Sequence, residues 1–122
     1  MKYILLIYHD ERPLSDAERQ ACYVESAQLA DELNTNGQVL AANPLHPTST
    51  ARSIRMRNGT RIVTDGPYAE TREQLGGYFL IEVSTLDDAI GIAERIPMAR
   101  QGTVEVRGVM EIPGMPFEAA DG

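Results

Sequence analysis

A chain of 122 residues with 43% hydrophobic residues has the size of one domain and can bury a core without staples. Its formal charge of −7 argues against direct nucleic-acid binding, which needs a cationic face, and no run approaches the roughly 20 apolar residues that span a membrane. One cysteine, Cys22, excludes an internal disulfide and no Cys/His cluster offers a zinc site, so the expected setting is cytoplasmic and no metal or cofactor is expected.

The segment Lys2 to His9 reads as a strand with apolar residues on both sides. Tyr3, Leu5 and Ile7 point one way, Ile4, Leu6 and Tyr8 the other, so both faces are expected to be covered. The run is too short for a signal peptide and lacks a small-residue cleavage site. Ser15-Asp16-Ala17-Glu18 has the spacing of a capping box, and Asn36-Gly37 that of a left-handed stop, which together frame a helix. Its apolar stripe is Cys22, Leu29 and Leu33 among alanines, a pattern for close packing on a sheet, with Cys22 a small core residue rather than a nucleophile.

Gln38 to Ala42 makes a short strand, and two prolines hold Asn43-Pro44-Leu45-His46-Pro47 open as a loop. Ala51 to Arg57 and Thr60 to Thr64 flank Asn58-Gly59, the residues of a type I′ hairpin turn. Residues 51–64 carry four arginines and no acid, against sums of −4 for residues 1–50 and −7 for residues 65–122. A basic hairpin in an acidic protein fits a solvated surface, an anionic ligand or an acidic neighbouring subunit.

Beyond the hairpin, Asp65-Gly66-Pro67 turns the chain, with Asp65 suited to an Asx-turn that accepts a backbone amide two residues on. Thr71 to Gln74 has capping-box spacing for one helical turn, and Gly76-Gly77 allows close passage of the backbone before a strand from Tyr78 to Val83. A second helix runs from Leu86 to about Ile96, with Asp87 and Asp88 at its positive end and Pro97 after it. The last strand spans Thr103 to Ile112, and residues 113–122 form a loose tail beyond a domain of residues 1–112.

In order, these elements are strand, helix, strand, hairpin, strand, helix, strand. Two βαβ halves give an α+β, ferredoxin-like plait: a four-stranded antiparallel sheet with both helices on one face and an inserted β-hairpin. The first strand is apolar on its other face too, so a second copy is expected to cover it in a homodimer built as an α/β barrel.

The stretch Asp65-Gly66-Pro67-Tyr68-Ala69-Glu70-Thr71-Arg72-Glu73-Gln74-Leu75-Gly76-Gly77-Tyr78 resembles the motif of the DGPF group of the YCII-related family, with Tyr68 where that group's name has Phe. Tyr3 to Tyr8, Pro44-Leu45-His46-Pro47 and Ala99 to Arg107 resemble it as well, so the resemblance covers about residues 1 to 112. It implies a dimeric α/β barrel, a small bacterial protein without an assigned activity, and an association of such proteins with sigma factors of the extracytoplasmic-function type. A distant member of the wider family resembles a dehydrochlorinase. Shorter YCII-like members carry a His and Asp pair with the histidine in the first helix; here that helix reads Ala21-Cys22-Tyr23-Val24-Glu25 and has none.

Two readings of function follow. In one, the chain is a dimeric ligand-binding or regulatory module. In the other it is a cofactor-free lyase or isomerase in which His46 is the base and Asp65 orients it, two residues that flank the same inserted hairpin. Arg52 and Arg55 would hold a small anionic ligand, and Tyr8 and Tyr78 would suit a cyclic one. Glu82 and Arg107 lie on the polar side of their strands, as a substrate clamp or as an ion pair. His9, beside Asp10 and Glu11, reads as a surface residue.

Overall fold

β1 (Lys2–His9) lies inside the sheet, as its apolar residues on both faces require. The computed structural model, which describes residues 1–115, continues with α1 (Asp16–Thr35), β2 (Val39–Pro44), β3 (Arg52–Arg57), β4 (Thr60–Asp65), β5 (Gln74–Glu82), α2 (Leu86–Ala93) and β6 (Thr103–Gly108). The main sheet has the order β2-β5-β1-β6, all neighbours antiparallel, and β3 and β4 form a separate two-stranded sheet. This is the expected α+β architecture. Most of the expected tail lies outside the described residues. Among the described residues no helix is long and apolar enough to cross a membrane.

The core lies between the helices and one face of the sheet. Tyr3 and Leu5 of β1 and Phe79 and Ile81 of β5 meet Leu29 and Leu33 of α1 and Ala89, Ile92 and Ala93 of α2. Leu5, Leu33 and Ile81 are fully buried. The opposite face carries Ile4, Leu6 and Tyr8, paired across the sheet with Leu80, Tyr78, Arg107 and Glu105. Ile4, Leu6 and Tyr8 are only half-buried there.

Local chemistry sets several boundaries. At the start of α1 the Glu18 amide donates to the Ser15 hydroxyl and the Ser15 amide to the Glu18 carboxylate, each at 3.1 Å, so the capping box is complete. Thr85 caps α2 by accepting from the Asp88 amide. α2 stops at Ala93, short of the expected Ile96, because Pro97 holds Ile96 in an extended conformation; Pro97–Arg100 then forms a 3₁₀ turn that the sequence reading missed. β2 runs on through Pro44, which an edge strand tolerates because one side of it has no ladder to complete.

β5 begins at Gln74 rather than Tyr78, and the expected helical turn at Thr71 to Gln74 is absent. Instead Gln74 pairs with His9 across the sheet, while its side-chain amide donates to the Ala69 and Thr71 carbonyls at 2.7 Å. β6 ends at Gly108 instead of Ile112, with one further backbone bond from Val109 to Lys2.

The hairpin turn has the positive φ values that its type requires, 52° at Asn58 and 75° at Gly59. Its root is tied down: the Gly66 amide donates to the Ala51 carbonyl at 2.8 Å and the Ser53 hydroxyl to the Gly66 carbonyl at 2.9 Å. Gly66 itself has φ of 96°, a region that side chains rarely enter.

Gly66→Val therefore costs about 1–3 kcal/mol of stability through backbone strain alone, since nothing lies within 4 Å of its Cβ position. Urea denaturation measures it, and an unchanged midpoint contradicts this account. The capping box generates a second prediction. Hydrogen bonds from Ser15, its backbone amide first, hold the Glu18 carboxyl below its ordinary pKa. A depressed folded-state pKa means that the cap's contribution is present above the ordinary glutamate value and fades as pH falls through the depressed one. An NMR carboxyl titration should find Glu18 titrating below free glutamate, and Glu18→Gln should remove that acid-side dependence.

Candidate functional site

Small residues on α1 leave a gap over the sheet. Cys22, Ser26, Ala27 and Ala30 line one wall of a cavity of about 520 Å³, and β2 with Gly76, Gly77 and Phe79 of β5 forms the other. Ile7, Ile96 and Met98 also contribute apolar surface. The expectation of close packing along the whole helix holds only where Leu29 and Leu33 reach the core; alanine side chains are too short to fill the remaining space. Ion pairs hold the helix in place, Arg100 to Glu25 at 2.9 Å and Arg95 to Glu32. Both are exposed and weak singly.

His9 stands at the end of β1 on the wall of this cavity, half-buried rather than a free surface residue. Two glycines make its position possible. A Cβ on Gly76 would overlap the imidazole at Nε2 and lie 2.6 Å from Cδ2. One on Gly102 would overlap the Tyr8 carbonyl oxygen and lie 3.1 Å from His9 Cβ. Gly77 is tight for a different reason, its Cβ position being 3.1 Å from the Asn43 carbonyl oxygen and 3.3 Å from Pro44 Cα. His9 Nδ1 is 3.4 Å from the Asp10 carbonyl oxygen. A proton on Nδ1 facing that carbonyl leaves Nε2 as the basic nitrogen.

The residues singled out from sequence fall in three separate places. His46 sits in the loop after β2 and borders, with His9 and Glu11, a small cleft of about 40 Å³. Asp65 is at the end of β4, its side chain 87% exposed and 3.1 Å from Arg52 Nε, so its carboxylate faces the hairpin's own arginine. The Asx-turn expected of it cannot form, because the residue two positions on is Pro67, which has no amide hydrogen. Arg55 stacks over the Tyr68 ring at 5.0 Å.

The remaining four lie on the sheet face away from the helices. The Tyr8 hydroxyl donates to Glu105 at 3.4 Å, and burial together with the Glu105 charge pushes its phenol pKa up. Asn43 donates to the Tyr78 hydroxyl at 3.0 Å. Glu82 is 2.7 Å from the N-terminal ammonium and 3.8 Å from Lys2 Nζ. Lys2, buried on this face, also meets Glu111 at 2.9 Å. Arg107 is exposed and makes no ion pair among the described residues. Tyr8, Tyr78 and Glu82 are engaged with neighbouring polar groups, and none of the four residues lines the cavity.

What sequence reading missed is the cavity and the role of His9. The available signals were a run of small residues on α1 and glycines at positions 76 and 102, which pattern alone does not connect to a histidine. Among the described residues no three His, Cys, Asp or Glu side chains gather as a metal-ligand set. The cavity offers mainly apolar contact, together with an imidazole, a thiol and the polar groups of Ser26, Asp31, Asn34 and Asn43.

The glycine contacts can be tested by a double-mutant cycle. Gly76→Ala should destabilise the fold by about 1–3 kcal/mol, as overpacking does, and His9→Ala should recover most of that loss in the double variant. Gly102→Ala should gain no such relief, since its obstacle includes the Tyr8 backbone. Additive losses at 9 and 76 in chemical denaturation would dissociate the imidazole from Gly76.

Residues 1–113 match the YCII-related domain. A curated relative, an uncharacterized protein of Rhizobium meliloti (strain 1021), is 36% identical over 124 residues, with 88% of this chain and 90% of the relative covered. The chain thus belongs to the YCII-related family.

Proposed function

We propose that this protein is a homodimeric binding module for a small, largely apolar ring compound, held between α1 and the β2-β5 side of the sheet. The cavity carries this reading: about 520 Å³ falls within the ~300–1,000 Å³ usual for small-molecule sites, and its walls are mostly apolar. His9 supplies one hydrogen-bonding group at the wall, suited to a hydroxyl or carboxylate on the ring. The half-buried row Ile4, Leu6 and Tyr8 on the opposite face supports the homodimer part. In this reading the module's output lies in transcription, through an extracytoplasmic-function sigma factor, as the resemblance to the DGPF group implies; co-purification from a native host would test it.

A second reading, cofactor-free proton transfer on a similar ring, is favoured by the His9 imidazole standing at the cavity wall. It needs a histidine placed by glycines and does not draw on a pair between His46 and Asp65, whose carboxylate faces Arg52. Turnover of halogenated or carboxylated ring compounds that is lost in His9→Gln and kept in His46→Ala would select it.

For the binding reading, a thermal-shift and NMR screen of such ring compounds should find ligands that raise the melting temperature. At about 100 times Kd the stabilisation is ~2.7 kcal/mol. Ala30→Phe, which fills the cavity, should abolish the shift while leaving the fold intact. Equal binding to that variant would put the ligand elsewhere.

A further inference from the structure

The hairpin is an anomaly of exposure. β4 is exposed along its whole length, as is all of β3 except Ser53. The two strands pair only with each other, over six residue pairs. Two-stranded hairpins are marginal by themselves in water. Alternation and register put Ile54, Met56 and Val63 on one face of this ribbon, with Ile54 66% and Met56 58% exposed. Arg55, Arg57 and Arg61 have no carboxylate partner among the described residues, whereas Arg52 faces Asp65. Arg61, opposite Met56, shares that apolar face, whereas Arg55 and Arg57 lie on the other face with Ile62. An apolar stripe flanked by a guanidinium with no carboxylate beside it is a surface built to be covered.

The charge of the chain says by what. Residues 51–64 sum to +4 and the remaining residues to −11, the −4 of residues 1–50 plus the −7 of residues 65–122. A phosphate polymer would be drawn to the hairpin but repelled by everything around it, while a second copy of the chain offers the hairpin an acidic body. That body also has an apolar landing place. The outer sheet face presents Ile4, Leu6 and Tyr8 half-buried, with the exposed Glu105 carboxylate beside them.

We propose that the β3-β4 hairpin is an arm that clasps a second copy of this chain, laying Ile54, Met56 and Val63 against the outer sheet face of its partner and setting Arg61, on the same face of the ribbon, against the partner's Glu105. The root is firm enough to aim it. The Ala51, Ser53 and Gly66 hydrogen bonds fix the base, and Thr48 just before it donates to Glu11 through both its amide and its hydroxyl. The proposal rests on the homodimer part of the functional reading and adds the element that makes the contact.

Sedimentation equilibrium of the full chain tests it. The wild type should be a dimer whose dissociation constant rises with salt up to about 0.5 M, as screening of exposed charges requires. The double variant Ile54→Asp with Met56→Asp, and separately Arg61→Glu, should each weaken the dimer about tenfold or more, with the far-UV circular dichroism of the main fold retained. Glu105→Lys should weaken it in the same direction from the receiving side. Dimers of wild-type affinity in both hairpin variants would overturn the arm while leaving the homodimer reading intact. A monomeric wild type at ~100 μM would remove both. Duplex DNA bound by the wild type and released by the arginine variant would also overturn it.

Discussion

The hydrogen bonds that β1 makes along both of its edges, to β5 and to β6, govern the rest of the fold. They bring the ends of those strands against the end of β1, where the Tyr8 carbonyl and the His9 side chain leave no room for another Cβ. Gly76 and Gly102, one on each side, meet that constraint. The register slip between Ile7 and Tyr8 occurs at the same place, so the sheet is irregular where His9 leaves it. A ladder needed for burial thus also presents an imidazole to the space under α1.

That space exists because the domain divides its core unevenly. Leu29 and Leu33 hold the C-terminal half of α1 against Leu5, Phe79 and Ile81, and α2 completes the cluster with Ala89, Ile92 and Ala93. Nearer the N-terminus of α1 the inward residues are small, and the chain forgoes the dispersion contacts that leucines there would make. Alanine-rich helices elsewhere close onto their sheets, whereas here α1 is held off. Its exposed ion pairs to Arg95 and Arg100 help set its position without filling the space beneath it. The forgone packing leaves the positioned histidine beside open, mostly apolar space.

Features whose cause is local were legible in the sequence. Ser15 with Glu18 and Asn58 with Gly59 each act within four residues, and their spacing determines the result. Pairing order followed from the apolar character of β1 and the sequence of elements. Features decided by distant partners were not legible. Thr71 to Gln74 has helix-start spacing, yet the ladder to His9 draws Gln74 into β5. Pro44 reads as a breaker, yet the edge position of β2 admits it. The cavity was hidden for a deeper reason: it depends on the distance between a helix and a sheet, which no window of sequence contains. His46 and Asp65 flank one hairpin in sequence, but the hairpin carries Asp65 away with Arg52 while His46 stays by the small cleft near His9.

The two faces of the sheet therefore have different physical tasks. On the helix side, burial is nearly complete except where the cavity is left open. On the other side, polar groups satisfy one another in pairs, Tyr8 with Glu105, Asn43 with Tyr78, and Lys2 with Glu82 and Glu111, around apolar residues that remain half-buried. Such a face is neither a finished core nor an ordinary solvated surface, because its hydrogen bonds run sideways between neighbours and leave the apolar row between them facing outward. The basic hairpin, with its own uncovered apolar stripe, shares that incompleteness.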